Sequence, residues 1–155
     1  MSQTLDDTDK AILNLLQDDA TLPLKTIAER VHVSIATAQR RVQALIENGV
    51  ITKQVAIVDP NKVGYSLTAI VMIEMERSNT SMQHRFERLM HDQPRVMSCY
   101  EVSGDADFML VVNAKNMTEY HEFTRNLLTY ENNVRHFKSQ FVMSFTKSAT
   151  KIFLD

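Results

Sequence analysis

The sequence predicts an α+β chain: a helix-turn-helix, winged-helix-like domain at residues 1–49, a linker strand and hinge at 50–66, and a ferredoxin-like βαββαβ domain at 67–155. Three observations carry this expectation. Two short apolar helical periodicities, Leu24, Ile27, Ala28 and Val31 and then Ala38, Val42 and Leu45, are separated by only a few residues. From Thr68 the pattern becomes strand, helix, strand, strand, helix, strand. The central strand runs carry apolar residues on both faces, so they call for more cover than two helices give.

Asp6 or Asp7 suits the N-cap of a first helix whose inward residues are Ile12, Leu15 and Leu16, with Asp9 favourable near its positive end. Ser34 suits the N-cap of the third helix, where its hydroxyl can accept from an unpaired first-turn amide, and Gly49 suits its stop. The β-branched, largely uncharged run 50–58 reads as a strand leaving this unit, and Asp59, Pro60, Asn61 and Gly64 punctuate the boundary.

In the second domain, residues 68–76 read as a strand, and Met82, Phe86, Leu89 and Met90 mark a helix. Residues 96–103 and 107–114 form a hairpin around Gly104. Met117, Tyr120, Phe123 and Leu127 mark the next helix, opened by a capping box of Asn116 and Glu119. Residues 137–146 supply the last core strand and 150–154 an extra edge. In the first strand Ala69, Val71, Ile73 and Met75 share one face while Ile70 and Met72 lie on the other; in the third, Phe108, Leu110 and Val112 oppose Met109 and Val111. Two helices cover one face, so a second copy is expected over the other.

With Ala38, Val42 and Leu45 inward at about 100° per residue, Ala36, Arg40, Gln43 and Glu47 turn outward, flanked by Thr37, Gln39 and Ala44. A helix that reads double-stranded DNA needs such a face. Short residues near its start allow close approach, and Arg and Gln make paired hydrogen bonds to guanine and adenine. Ser34, Ala36, Thr37, Gln39, Arg40, Gln43 and Ala44 are therefore the candidate DNA-facing residues, with Arg41, nearer the shoulder, expected at phosphate. An ordinary amphipathic helix has the same polar face, so the context decides.

The chain of 155 residues has a net charge of −2, which argues against a surface that is basic throughout. Between Lys25 and Lys53, however, five basic residues stand against two acidic ones, so the positive footprint coincides with the helix pair. One such unit neutralises few phosphates, and oligomerisation would add the missing contacts. The single cysteine, Cys99, permits neither an internal disulfide nor a cysteine metal cluster. No apolar run approaches the ~20 residues of a membrane span, and the opening residues lack a signal-peptide pattern, so a cytoplasmic protein with no membrane partner is expected.

Four segments together resemble the leucine-responsive regulatory protein and asparagine regulator (Lrp/AsnC) family of bacterial and archaeal transcription factors. Leu5, Asp6, Asp9, Ile12 and Leu13 resemble its first helix; Ile27, Ala28, Val31, Val33 and Ser34 its helix-turn-helix. Arg41, Val42, Leu45, Gly49, Val50 and Ile51 resemble the end of its recognition helix and the exit. Most specific is Gly104-Asp105-Ala106-Asp107-Phe108, similar to the Gly-Asp-x-Asp-aromatic hairpin of the family's amino-acid-sensing domain. The resemblance implies homodimers joined through their sheets, often assembled into octamers, with an amino-acid effector held between dimers beside the hairpin. It makes Gly104, Asp105 and Asp107 the candidate effector residues, with Tyr100, Val102 and Ser103 leading into the turn. A zwitterion needs an acceptor for its ammonium, donors for its carboxylate and an apolar slot, and Gly permits close backbone approach. Met109, Met117 and Met143 suit an adaptable apolar pocket, for leucine or methionine among other side chains.

No enzyme, cofactor or metal is expected. The three glycines form no phosphate loop, and His32, His121 and His136 form no constellation. His84, Glu87 and His91 share one side of a helix but lack the four-residue histidine spacing of the common zinc helix. The alternative function is an amino-acid sensor that regulates a partner protein without binding DNA.

Overall fold

The computed structural model describes residues 4–77 and 79–155; the first three of the opening residues that lack a signal-peptide pattern lie outside the described residues. The chain forms two compact units, one of Met1–Ile57 with Lys147–Asp155 and one of Val58–Thr146.

The first unit has three helices, α1 (Asp7–Asp18), α2 (Leu24–Arg30) and α3 (Ile35–Glu47). Asp6 is the cap of α1: its carboxylate accepts from the Asp9 amide at 2.8 Å and the Asp9 carboxylate accepts from the Asp6 amide at 3.3 Å. Ser34 caps α3 by accepting from the Thr37 amide at 3.1 Å, and Gly49, at φ 71°, ends that helix in the left-handed region where glycine costs least. Ile12, Leu13, Ile27, Ala28, Ala38 and Leu45 form the core, with Leu15, Leu16 and Val42 half-buried around it. Leu13 thus takes the deep position expected for Leu15 or Leu16.

Residues 50–58 form no strand, and Val55, Ile57 and Val58 stand exposed. Their β-branched composition records what the backbone prefers, whereas a strand also needs a neighbour, and among the described residues none pairs with them. Residues 150–154 are not an edge strand either. They belong to the first unit, where Leu154 packs on its core.

The second unit contains β1 (Leu67–Met75), α4 (Thr80–His91), β2 (Val96–Glu101), β3 (Phe108–Ala114), α5 (Met117–Leu127) and β4 (Val134–Phe141). The strands form one antiparallel sheet in the order β2-β3-β1-β4, the ferredoxin-like arrangement. β4 starts and ends earlier than expected because β1 sets its length, from Met75 opposite Val134 to Ala69 opposite Phe141. In the box at α5, Asn116 accepts from the Glu119 amide, but the Glu119 carboxylate accepts from the Lys115 amide rather than from its cap.

Ala69, Val71, Ile73, Phe108, Leu110 and Val112 are buried on the sheet face covered by Phe86 and Met90 of α4 and Tyr120 and Phe123 of α5. The other face keeps Ile70, Met72, Met109 and Val111 along the two central strands, only half-buried. Register places Lys138 and Gln140 beside Met72 and Ile70 on one flank, and Ser98 and Tyr100 beside Val111 and Met109 on the other. An apolar stripe with a polar rim is left open.

Candidate DNA-reading helix and effector hairpin

Helix α3 is the outer helix of the pair because its inner face is fixed by two buried residues two turns apart, Ala38 and Leu45. Ser34, Ala36, Gln39, Arg40 and Gln43 are exposed, while Thr37 and Ala44 are half-buried. Arg40 and Gln39 make no side-chain hydrogen bond among the described residues, leaving all their donors available. Gln43 donates to the Glu47 carboxylate one turn on, at 2.8 Å. The Ser34 hydroxyl, besides capping the helix, donates to the Thr37 hydroxyl at 2.9 Å.

Arg41 differs from its expected role. Its guanidinium donates to Asp6 at 2.7 Å and to Asp9 at 2.8 Å, tying α3 to the cap of α1. Its Nε is buried and has no partner among the described residues. The hydrogen bonds to Asp9 and Asp6 hold the guanidinium more firmly protonated than usual. The Asp9 backbone amide, and then Arg41, hold the Asp6 carboxyl below the usual carboxylate range. The spacing from the inward face located Arg41 at the shoulder of α3, but no helical periodicity reports which residues of another helix lie opposite.

In the second unit the β2–β3 hairpin closes with Gly104 at φ 122° and with the Val102 amide donating to the Asp107 carbonyl at 2.9 Å. Ser103, Gly104 and Asp105 are exposed at its tip, and Val102 is half-buried. Tyr100, 52% exposed, lies opposite Met109 on the open sheet face rather than at the tip. Asp107 is committed to the framework: its amide donates to the Ile73 carbonyl at 2.8 Å and its carboxylate accepts from the Met75 amide at 2.7 Å. It fastens the hairpin to the end of β1, where the ladder otherwise leaves an amide unpaired.

Beside the hairpin an open cleft of about 740 Å³ runs between α4 and β2, lined among others by Glu87, Met90, His91, Cys99 and Glu101. Burial, and then the nearby Glu87, push the Cys99 thiol up, so it stays a neutral wall residue. Glu101 is a carboxylate that the sequence patterns did not single out, because it belongs to no motif, whereas Glu87 entered only as a member of the His84, Glu87 and His91 set. His84 pairs with Glu87 at 2.9 Å on the exposed side of α4.

Two family descriptions match the chain: "Winged helix-turn-helix DNA-binding" over residues 5–52 and "Lrp/AsnC ligand binding domain" over residues 68–152. The chain is 52% identical to an uncharacterized HTH-type transcriptional regulator of Haemophilus influenzae, covering 99% of this chain and 92% of that one. It is 30% identical to the DNA-binding transcriptional activator DecR of Escherichia coli, covering 96% of this chain and 97% of the relative. Among solved structures, a transcriptional regulator of Neisseria meningitidis in complex with L-Met superposes with a TM-score of 0.91 at 28% identity, over 96% of each chain.

Proposed function

The chain belongs to the Lrp/AsnC family of DNA-binding transcriptional regulators, which are not enzymes, and on that premise we propose how its residues divide the work. Helix α3 reads operator DNA through Gln39 and Arg40, with Gln43 beside them and the small residues Ser34, Ala36, Thr37 and Ala44 allowing the backbone to approach. The observation that carries this reading is the exposure of Gln39 and Arg40 with no side-chain hydrogen bond among the described residues, on a helix whose other face is locked into a three-helix core. Arg41 positions that helix and leaves phosphate neutralisation to other cations.

The working unit is a homodimer closed over the stripe of Ile70, Met72, Met109 and Val111, and dimers assemble further, to octamers. A stripe of this kind, central and rimmed by polar groups, has the composition of an interface core. Dimerisation doubles the number of phosphates met, which a chain of net charge −2 needs. The protein acts in the cytoplasm; no helix among the described residues is long and apolar enough to cross a membrane.

The effector is an amino acid with an apolar side chain, leucine or methionine among the candidates, bound beside the Gly104 hairpin. The relative solved with L-Met supports the ligand class. In this chain Asp105 supplies the exposed acceptor for the ammonium, and the open backbone at Ser103 and Gly104 admits the carboxylate. A thermal-shift screen of the twenty amino acids, followed by gel shifts of promoter fragments at two salt concentrations, tests both halves. A melting shift with one or a few amino acids and a salt-sensitive DNA shift are expected. DNA binding without any amino-acid response would remove the sensing half, and the converse result would favour a sensor acting on a protein partner.

A further inference from the structure

The outer face of α1 is built to hold an extended peptide, and the C-terminal residues occupy it. The Gln17 side-chain amide donates to the Ile152 carbonyl at 2.8 Å and accepts from the Ile152 amide at 2.7 Å. The Asn14 side chain repeats the pattern on Leu154, donating at 2.7 Å and accepting at 3.3 Å. Two helix residues three apart thus act as a neighbouring strand for two alternate residues of an extended segment. Three helical residues rise about 4.5 Å and two extended residues about 6.7 Å, and the longer glutamine side chain spans the mismatch. Lys151 pairs with Asp18 at 2.6 Å, and Leu154 packs against the core of the first unit.

These contacts are specific but slight. Ile152 is 69% and Phe153 79% exposed, so seating buries little apolar surface beyond Leu154. Most of the hydrogen bonds face solvent and compete with water, and ordering the segment costs backbone entropy. Such an element lies at the low-stability end of a structure and opens locally.

Its place in the chain gives the seat a consequence. The backbone leaves the first unit after Ile57 and returns to it after Thr146, so the seated segment is a second covalent tie from the second unit. The helix it grips is the one whose Asp6 and Asp9 hold Arg41 of α3. We propose that residues 150–155 form a releasable latch on α1, which when seated braces the recognition helix and when released loosens it.

The test uses the full chain with two variants: the double substitution Asn14→Ala with Gln17→Ala on the helix side, and Leu154→Asp alone on the tail side, which leaves every helix residue intact. Trypsin cleavage after Lys151 reports seating, because both polar groups of Ile152 are held by Gln17. Hydrogen exchange of α1 and α3 reports bracing. Cleavage should accelerate about tenfold or more in the variants, and α3 amides should exchange several-fold faster, with weaker binding to a fixed random-sequence duplex at one salt concentration. Equal cleavage in wild type and both variants would overturn the seat. Faster cleavage with unchanged exchange in α3 and unchanged DNA affinity would overturn the brace. Agreement between the helix-side and tail-side variants excludes a folding defect of α1 as the cause.

Discussion

Arg41 of α3 and Asp9 of α1 meet at 2.8 Å, with Asp9 9% exposed, so the recognition helix is fastened to the first helix by an ion pair on the edge of the core. Removing one partner leaves a charge poorly solvated and poorly paired. Arg41→Ala should destabilise the first unit by on the order of 1 to 2 kcal/mol, discounted for the partial exposure of the guanidinium. A phosphate contact would be distinguished by salt: its loss lowers the salt slope of DNA binding by about one, whereas loss of a brace leaves the slope alone. Denaturant melts and salt titrations of the variant measure the two separately.

The same cluster sets an acid limit. The Asp6 carboxyl titrates below its ordinary value of 3.8, chiefly because it accepts from the Asp9 amide and then because Arg41 is beside it. A depressed carboxylate contributes stability that is fully present above the unfolded value and is lost as the pH falls through the folded one. Wild type should therefore lose stability relative to Asp6→Asn on acidification below about pH 4, with a constant gap at neutral pH. Melts across that range check it, and parallel curves would remove Asp6 from the acid response.

Arg40 carries the base-reading prediction. Arg40→Ala should cost about 1 to 3 kcal/mol at the cognate operator and much less on random DNA. Footprinting with wild type first locates the operator, and binding isotherms on both sequences follow. Equal losses would place Arg40 on phosphate and rotate the reading face of α3.

The sheet face gives a prediction about assembly. Met72→Glu sets a carboxylate in the middle of the apolar stripe opposite Met109, and should weaken the dimer by about tenfold or more with DNA affinity falling in step. Light scattering across a concentration series reads the mass. An unchanged mass with intact folding would remove this stripe from the proposed dimer interface.

The elements legible in the sequence were those specified by local chemistry. Ser34 and Asp6 cap helices because a side-chain oxygen two or three residues before an unpaired amide is a local fact, and the alternation of Ile70, Val71 and Met72 placed each residue on its correct face. What escaped was partnership across the chain. Residues 50–58 have the residues of a strand but no neighbour among the described residues, and residues 150–154, also rich in apolar residues, answer to Asn14 and Gln17 instead. Arg41 and Asp107 were both read as reaching outward because their charge says nothing of a partner some thirty residues away in sequence, Asp9 for one and the Met75 amide for the other.

Asp107 holds the Met75 amide while Asp105 stands exposed two residues earlier, so variants at the two test the proposed sensing role apart from folding. Asp107→Ala removes the acceptor of a Met75 amide on a buried strand end and should cost about 1.5 to 3 kcal/mol of stability with or without ligand. Asp107→Asn keeps a side-chain oxygen for that amide and should recover most of it. Asp105 is exposed at the tip and makes no side-chain hydrogen bond among the described residues, so Asp105→Ala should melt within about 0.5 kcal/mol of wild type. If Asp105 receives the ammonium of the effector, the same substitution should weaken binding roughly tenfold to a hundredfold, the loss of one charge-assisted hydrogen bond. A smaller difference in effector affinity between assemblies then means a smaller shift in DNA binding, since the ligand moves the equilibrium only by that difference. Calorimetry on wild type, Asp105→Ala and Asp107→Asn, with the amino acid that raises the melting temperature most, decides between them. Unchanged affinity in Asp105→Ala with a loss in Asp107→Asn would move the ammonium to Asp107, and affinity unchanged in both would move the site off the hairpin tip.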